Sequence, residues 1–141
     1  GGGGLISGIG SVIKYHSPKT KIIGVSAKNS GALSASLKLG KVCETTHLDT
    51  LADGCAGGID EDTLTLPLAQ AVIDSVIDCT EEQIIEAIKI LAWHENLLVE
   101  GSAALALAGF LQNKNSEKKQ VSLVLLCGGN FDKDLLLPIL N

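Results

Sequence analysis

Aromatic residues are scarce in this sequence. Only 3% of its 141 residues are Phe, Trp or Tyr, and 11 basic side chains stand against 16 acidic ones, which gives a net charge of −5. A nucleic-acid-binding surface needs basic patches and rings on which bases can stack, so this composition argues against one. A site for a small molecule is the favoured alternative.

The sequence also lacks a long apolar run and a signal peptide with a positive start and an apolar core. Its longest apolar stretches, 103–111 and 121–127, are far shorter than the roughly 20 residues needed to cross a bilayer. We therefore expect no membrane segment. With 45% hydrophobic residues, the chain can still bury the core of one domain or part of one.

Patterns for metal binding and for disulfides are absent as well. The cysteines are widely spaced without a C-x-x-C pair, and the histidines are dispersed without an H-E-x-x-H motif; these residues are Cys43, Cys55, Cys79, Cys127, His16, His47 and His94. A zinc site is therefore not expected. Reduced thiols favour a cytoplasmic location.

Helical and strand patterns alternate along the chain. The apolar spacing predicts helices at 4–16, 30–39, 66–75, 81–94 and 101–111, and strands at 21–27, 76–79 and 121–126. Thr80 and Gln83 have the spacing of a capping box, and 113–120 has the composition of a solvated turn. The alternation predicts an α/β fold with a mostly parallel sheet and helices on both faces.

Four consecutive glycines open the chain and lead directly into the first predicted helix. Such a run lets several backbone N–H groups converge on one anion at the positive end of a helix, which favours a phosphate ligand. The sequence matches neither the Walker pattern of nucleoside-triphosphate loops nor the G-x-G-x-x-G pattern of dinucleotide-binding loops. A flexible linker or a cloning remnant is the alternative, although an apolar helix beginning at Leu5 argues against it.

Four segments together carry a family resemblance: GGGGL at 1–5, ADGCAGG at 52–58, VEGSAALALAG at 99–109 and LCGGN at 126–130. In this order they resemble the C-terminal half of the threonine dehydratase family, which includes serine dehydratase and serine racemase. The resemblance implies a pyridoxal-phosphate enzyme of fold type II, with the tryptophan-synthase β-like architecture. It further implies that residues 1–141 form part of the large cofactor domain and that the parent protein is a homodimer.

The resemblance also assigns residues to the cofactor. The backbone amides of Gly1, Gly2, Gly3, Gly4 and Leu5 would hold the phosphate, and Cys127 would lie beside the pyridine nitrogen. A cysteine at the end of a strand is, alternatively, a small buried hydrophobe.

Two further positions are implied near the cofactor. Gly54, with Asp53, lies on a loop that would pass the cofactor's face, and Glu100 would approach its ring. Because Glu100 precedes a predicted helix, its carboxylate could instead simply favour the positive end of that helix.

Several family members bind a divalent cation through an acid directly after the strand that matches IIGV and another acid six residues later. This sequence has Ser26 and Ala32 at those positions. Hard cations need carboxylate or carbonyl oxygens, so we expect no metal at this place.

The family's Schiff-base lysine lies in an S-x-K-x-R-G-like segment, and no lysine here has that context. We therefore expect a fragment with no catalytic residue of its own, inactive in isolation. For the parent protein the resemblance implies an ammonia-lyase that converts threonine or serine to a 2-oxo acid and ammonia. A serine racemase and a dehydratase of compatible-solute (hydroxyectoine) breakdown remain alternatives.

Overall fold

A computed structural model describes residues 1–113 and 120–141, and most of the predicted turn at 113–120 lies outside the described residues. The described chain contains helices α1 (Gly4–His16), α2 (Ala32–Leu39), α3 (Thr65–Val72), α4 (Glu81–His94), α5 (Gly101–Gln112) and α6 (Lys133–Leu140), strands β1 (Ile23–Ala27) and β2 (Ser75–Cys79), and a short 3-10 turn (Asp53–Cys55). Among these helices none combines the length and the apolar character needed to span a bilayer.

The two strands form a parallel pair in the predicted α/β arrangement. Ile23 lies opposite Ser75 and Ala27 opposite Cys79, so the carboxyl ends of β1 and β2 meet at one edge. Successive residues of β1 face opposite sides, as strand geometry requires. A Cβ at Gly24 would lie 3.3 Å from Ile6 of α1, whereas Val25 contacts Gly109 of α5. Helices therefore cover both faces of the strand pair.

Helix α5 is the most buried helix of the described chain, as its nearly uniform apolar sequence predicts. Its small residues allow close approach: a Cβ at Gly109 would lie 2.4 Å from Val25 Cγ2. Ala104 and Leu105 are almost completely enclosed, and the neighbouring α4 contributes Ile84 to the same core.

The predicted capping box begins α4. The Thr80 Oγ1 accepts a hydrogen bond from the Gln83 N–H, and the Gln83 Oε1 accepts one from the Thr80 N–H at 2.8 Å. The Gln112 Nε2 donates to the same Gln83 oxygen at 3.0 Å and to the Cys79 Sγ at 2.9 Å. The last residue of α5 is thus tied to the first turn of α4 and to the end of β2.

An ion pair anchors the far end of α1. The Lys14 ammonium lies 2.8 Å from Asp74 Oδ2, which also accepts a hydrogen bond from the Ile22 N–H at 2.7 Å. These contacts hold the pKa of Asp74 below its usual value, with the Lys14 bond as the largest cause. Because α1 runs back against β1, its first turn then lies at the carboxyl edge of the strand pair.

Two sequence predictions need correction. Residues 121–126 form no strand: within the described chain they pair with no neighbour, and Val121 and Leu123 are 101% and 83% exposed. An apolar run favours a strand only where a neighbouring edge can accept its backbone hydrogen bonds. Helix α3 also ends at Val72 rather than at Ser75, which already belongs to β2.

Helix α6 was not predicted. The Asp132 side chain caps it by accepting the Asp134 N–H at 2.8 Å, and Leu136 belongs to the buried core that residues of α4 and α5 also form. Pro138 lies within it and masks the helical pattern in the sequence.

Burial raises the pKa of Cys79 to about 11, from an ordinary value of 9.0, and the Gln112 hydrogen bond opposes this rise. The folded state therefore retains the thiol proton to higher pH than the unfolded state does. Its stabilising contribution is complete below pH 9.0 and is lost as pH rises towards about 11. We expect the free energy of unfolding, measured by urea titration, to fall over this interval more steeply in the wild-type chain than in Cys79→Ala. Equal slopes would contradict the prediction.

Gly109→Ala should destabilise the chain because the new methyl group would enter the space of Val25. Overpacking of this kind costs about 1–3 kcal/mol. Gly8→Ala is the matched control: the Cβ at this helical position meets no atom within 4 Å, and alanine favours a helix. Thermal unfolding should give a lower Tm for Gly109→Ala and an unchanged or higher Tm for Gly8→Ala; equal Tm values for both variants would refute the close packing.

Candidate functional site

The glycine run lies at the amino end of α1, where the carboxyl ends of the strands meet. Gly3 precedes the helix with φ of 87°, a left-handed conformation that favours glycine. A Cβ at this residue would also lie 3.0 Å from Leu33 Cδ2. The positive φ is thus the main reason for glycine at position 3, and the close contact with Leu33 adds to it.

Backbone amides of this turn lack a hydrogen-bond acceptor among the described residues. In the described chain, the N–H groups of residues 2–6 donate to no protein acceptor, and the first bond of α1 runs from the Ser7 N–H to the Gly3 carbonyl at 3.0 Å. Cβ atoms at Gly2 and Gly4 would meet nothing within 4 Å, so these peptide groups border open space. Unpaired amides at the positive end of a helix form a site for an anion.

Thr65, at the start of α3, fixes the glycine run. Its Oγ1 donates a hydrogen bond to the Gly2 carbonyl, while its own carbonyl accepts one from the Ser7 hydroxyl at 3.3 Å. The Thr63 hydroxyl lies 2.8 Å from that of Thr65. The carbonyl of Gly2 is thereby held towards α3. Sequence reasoning missed Thr65 because it lies 63 residues from Gly2 and belongs to none of the quoted motifs.

The ADGC segment lies directly against the glycine run. A Cβ at Gly1 would be 3.5 Å from the Cα of Cys55 and 3.8 Å from the Gly54 carbonyl oxygen. Asp53 shapes this loop, because its Oδ1 accepts the Gly54 N–H at 2.8 Å. Two of the motifs predicted to meet therefore do meet.

Buried Ser30 holds the same irregular segment at a second point. Its hydroxyl oxygen accepts the Gly57 N–H at 3.0 Å and lies 2.8 Å from His47 Nδ1. The sequence suggested no role for either residue. The structure gives them one, since together they attach the 47–58 segment to the turn that follows β1.

The VEGSAALALAG segment contacts the ADGC loop through the amino end of α5. A Cβ at Gly101 would lie 2.0 Å from the carbonyl oxygen of Leu51, so only glycine fits there. A Cβ at Gly54 would lie 2.9 Å from Ser102 Oγ and 3.3 Å from Glu100 Oε1. The Ser102 hydroxyl is buried and has no hydrogen-bond partner among the described residues.

The LCGGN segment contacts the site through Glu100. The Glu100 Oε2 accepts the Asn130 N–H at 2.8 Å, and Gly128, with φ of 134°, packs against the carboxylate. Cys127 is exposed and does not follow a strand, so the expectation of a small buried residue at a strand end is wrong. Of the candidate cofactor residues, Gly1, Gly54 and Glu100 are linked by these contacts, whereas Cys127 and the side chain of Leu5 are exposed.

The hydrogen-bond donors of this site fit a phosphorylated cofactor. Unpaired amides face open space at a helix amino end, and a buried hydroxyl without a partner adjoins the neighbouring loop. Ser26 and Ala32 bring no carboxylate to the positions where the family resemblance would place cation ligands, and the described residues contain no group of three or more His, Cys, Asp or Glu side chains that could hold a metal ion. The expectation of no metal stays a prediction.

Comparison with known proteins gives consistent results. The chain is 36% identical to the L-threonine ammonia-lyase of Thermotoga maritima over 141 residues, which is all of this chain and 35% of that protein. A crystal structure of threonine deaminase from T.th. superposes with a TM-score of 0.83 at 31% identity, covering 94% of this chain and 48% of that one. The maize serine racemase structure gives a TM-score of 0.82 at 29% identity, covering 97% and 43%.

The chain thus spans between one third and one half of the length of these relatives. Residues 1–128 match the family described as pyridoxal-phosphate dependent enzyme. The chain belongs to this family of pyridoxal-phosphate dependent enzymes.

Proposed function

We propose that this chain forms the phosphate-binding part of the large domain of an ammonia-lyase that deaminates L-threonine or L-serine. The observation that carries the proposal is the set of unpaired amides at residues 2–6, held against the ADGC loop. Relatives named threonine ammonia-lyase and threonine deaminase support the substrate class, a small hydroxy amino acid.

The glycine run would bind the cofactor phosphate through its backbone. Amides at Gly2, Gly3, Gly4 and Leu5 can donate to phosphate oxygens, and the dipole of α1 adds partial positive charge at the same point. No side-chain cation is required for this contact. The unhindered positions of Gly2 and Gly4 allow the phosphate to approach the backbone closely.

The remaining candidate residues would surround the ring. Bound pyridoxal phosphate supplies the electron sink that stabilises negative charge at the substrate's α-carbon. Gly54 keeps the ADGC loop thin enough to lie beside the ring, and Cys127 would offer a hydrogen bond at the pyridine nitrogen. A protonated thiol does not supply the negative charge that a carboxylate would, which favours elimination of the hydroxyl over reactions that need a stronger sink.

We further propose that the lysine that bonds to the cofactor, and the groups that bind the substrate carboxylate, come from residues outside 1–141. No lysine of this chain has the context of the family's cofactor lysine. The chain alone would then bind the phosphate group without turnover. A cytoplasmic homodimer is proposed for the whole protein: the four free cysteines fit a reducing compartment, and the family resemblance supports the dimer.

Serine racemase activity is the second candidate, supported by the similarity to the maize enzyme. The two activities differ in the fate of the substrate hydroxyl, which a lyase removes and a racemase retains. Chiral chromatography after incubation with L-serine therefore separates them.

The direct test is an assay of the full-length protein with pyridoxal phosphate and either L-threonine or L-serine. We expect 2-oxobutanoate or pyruvate to form together with one equivalent of ammonia, and D-serine to remain a minor product. The chain of residues 1–141, tested in parallel, should give neither product. D-serine as the main product would favour the racemase, and the absence of all three products would refute the proposal.

Thr65→Val should weaken cofactor binding through the phosphate. Valine keeps the shape of threonine but cannot donate to the Gly2 carbonyl, so the glycine run loses its attachment to α3. Loss of one such hydrogen bond corresponds to an affinity for pyridoxal phosphate that is lower by about tenfold. Absorbance titration of the full-length protein measures this affinity.

Thr65→Ser is the matched control, because it retains the hydroxyl and should bind pyridoxal phosphate almost as the wild type does. Titration with pyridoxal, which lacks the phosphate, isolates the effect: Thr65→Val and wild type should bind it equally. Equal losses for both compounds would indicate general destabilisation instead.

A further inference from the structure

The carboxylate of Glu100 bonds to a segment outside its own helix. Glu100 directly precedes α5, yet its side chain accepts no hydrogen bond from that helix. Its Oε2 instead accepts the N–H of Asn130 at 2.8 Å, across 30 residues of sequence. The interpretation that this carboxylate merely favours the positive end of α5 therefore does not account for its orientation.

This bond is the main polar restraint on the LCGGN segment. In the described chain it is the one hydrogen bond that residues 120–131 make. Apolar contact is limited to partly buried side chains such as Leu126, and Cys127 is exposed. A carboxylate acceptor makes a stronger bond than a neutral one, so this single contact can determine where the segment lies.

Two glycines enclose the Glu100 carboxylate. A Cβ at Gly128 would lie 2.3 Å from its Oε1 and 2.4 Å from its Cδ, and a Cβ at Gly54 would lie 3.3 Å from the Oε1. The carboxylate therefore fills the space between the ADGC loop and the LCGGN segment. At Gly128, φ of 134° favours glycine independently of this side chain.

We propose that Glu100 is a positioning residue that holds residues 127–130 against residues 53–55 and so fixes the place of Cys127 at the site. The contact between the two segments stands on the geometry alone. Its consequence for the cofactor ring rests on the proposed function.

The test is hydrogen–deuterium exchange of the full-length protein, read at the Asn130 amide. Glu100→Ala removes the acceptor, and we expect that amide to exchange at least about tenfold faster than in wild type, as loss of a hydrogen bond to a charged group implies. Glu100→Gln keeps an acceptor oxygen without the charge and should give an intermediate rate. Unchanged exchange in both variants would overturn the proposal.

Glu86→Ala is the matched control, because Glu86 is exposed on α4 and makes no hydrogen bond among the described residues. It should leave the Asn130 amide as slow as in wild type. Equal acceleration in Glu86→Ala would show that any lost glutamate has this effect, which also contradicts the proposal.

A second pair of variants covers the case in which Glu100→Ala fails to fold. Gly128→Ala would drive a methyl group into the carboxylate, whereas Gly129→Ala meets no atom within 4 Å. We expect faster exchange at Asn130 in the first and wild-type exchange in the second. The same rate in both would count against the proposed role of Glu100.

Cofactor absorbance, recorded on the same samples, separates the two proposals. Faster exchange in Glu100→Ala with no bound-cofactor absorbance in wild type would refute the proposed function and leave the Glu100 contact standing. Absorbance in wild type with unchanged exchange in Glu100→Ala would refute the contact alone.

Discussion

The site depends on the close approach of α5 to the loop that carries the ADGC segment. Gly101 lies so near the Leu51 carbonyl that a Cβ there would be 2.0 Å from the oxygen. That approach brings Glu100 and Ser102 to Gly54, and through Gly54 and Cys55 to the glycine run. A side chain at position 101 would push α5 outwards and separate Glu100 and Ser102 from Gly54.

Contacts with β1 and α4 also hold α5 in this position. Gly109 lies against Val25 of β1, and Gln112, the last residue of α5, donates hydrogen bonds to Cys79 and to Gln83 of the α4 capping box. On the opposite face, α1 contacts β1 through Ile6 and Gly24. Both helices thus pack against the same strand, one on each face.

Much of this could be predicted from the sequence because it depends on local patterns. The α1 bounds follow from apolar spacing and the Ser17–Pro18 break, and the start of α4 follows from Thr80 and Gln83. The meeting of the motifs followed from a family resemblance. Thr65, Ser30 and the orientation of Glu100 could not be predicted, because each acts through a partner more than 15 residues away in sequence. The strand predicted at 121–126 is wrong because an apolar sequence does not reveal whether a neighbouring strand edge is available for pairing.

The attachment of α1 at both ends has a consequence for the thermodynamics of anion recognition. Four glycines in a row lose more conformational entropy on ordering than any other four residues would. Here Thr65 fixes the Gly2 carbonyl, Leu33 packs against Gly3, and the Lys14–Asp74 pair stops the helix from sliding along its axis. The entropic cost of aligning the amides is therefore part of the free energy of folding. A phosphate then binds amides that are already aligned and does not have to order a flexible loop.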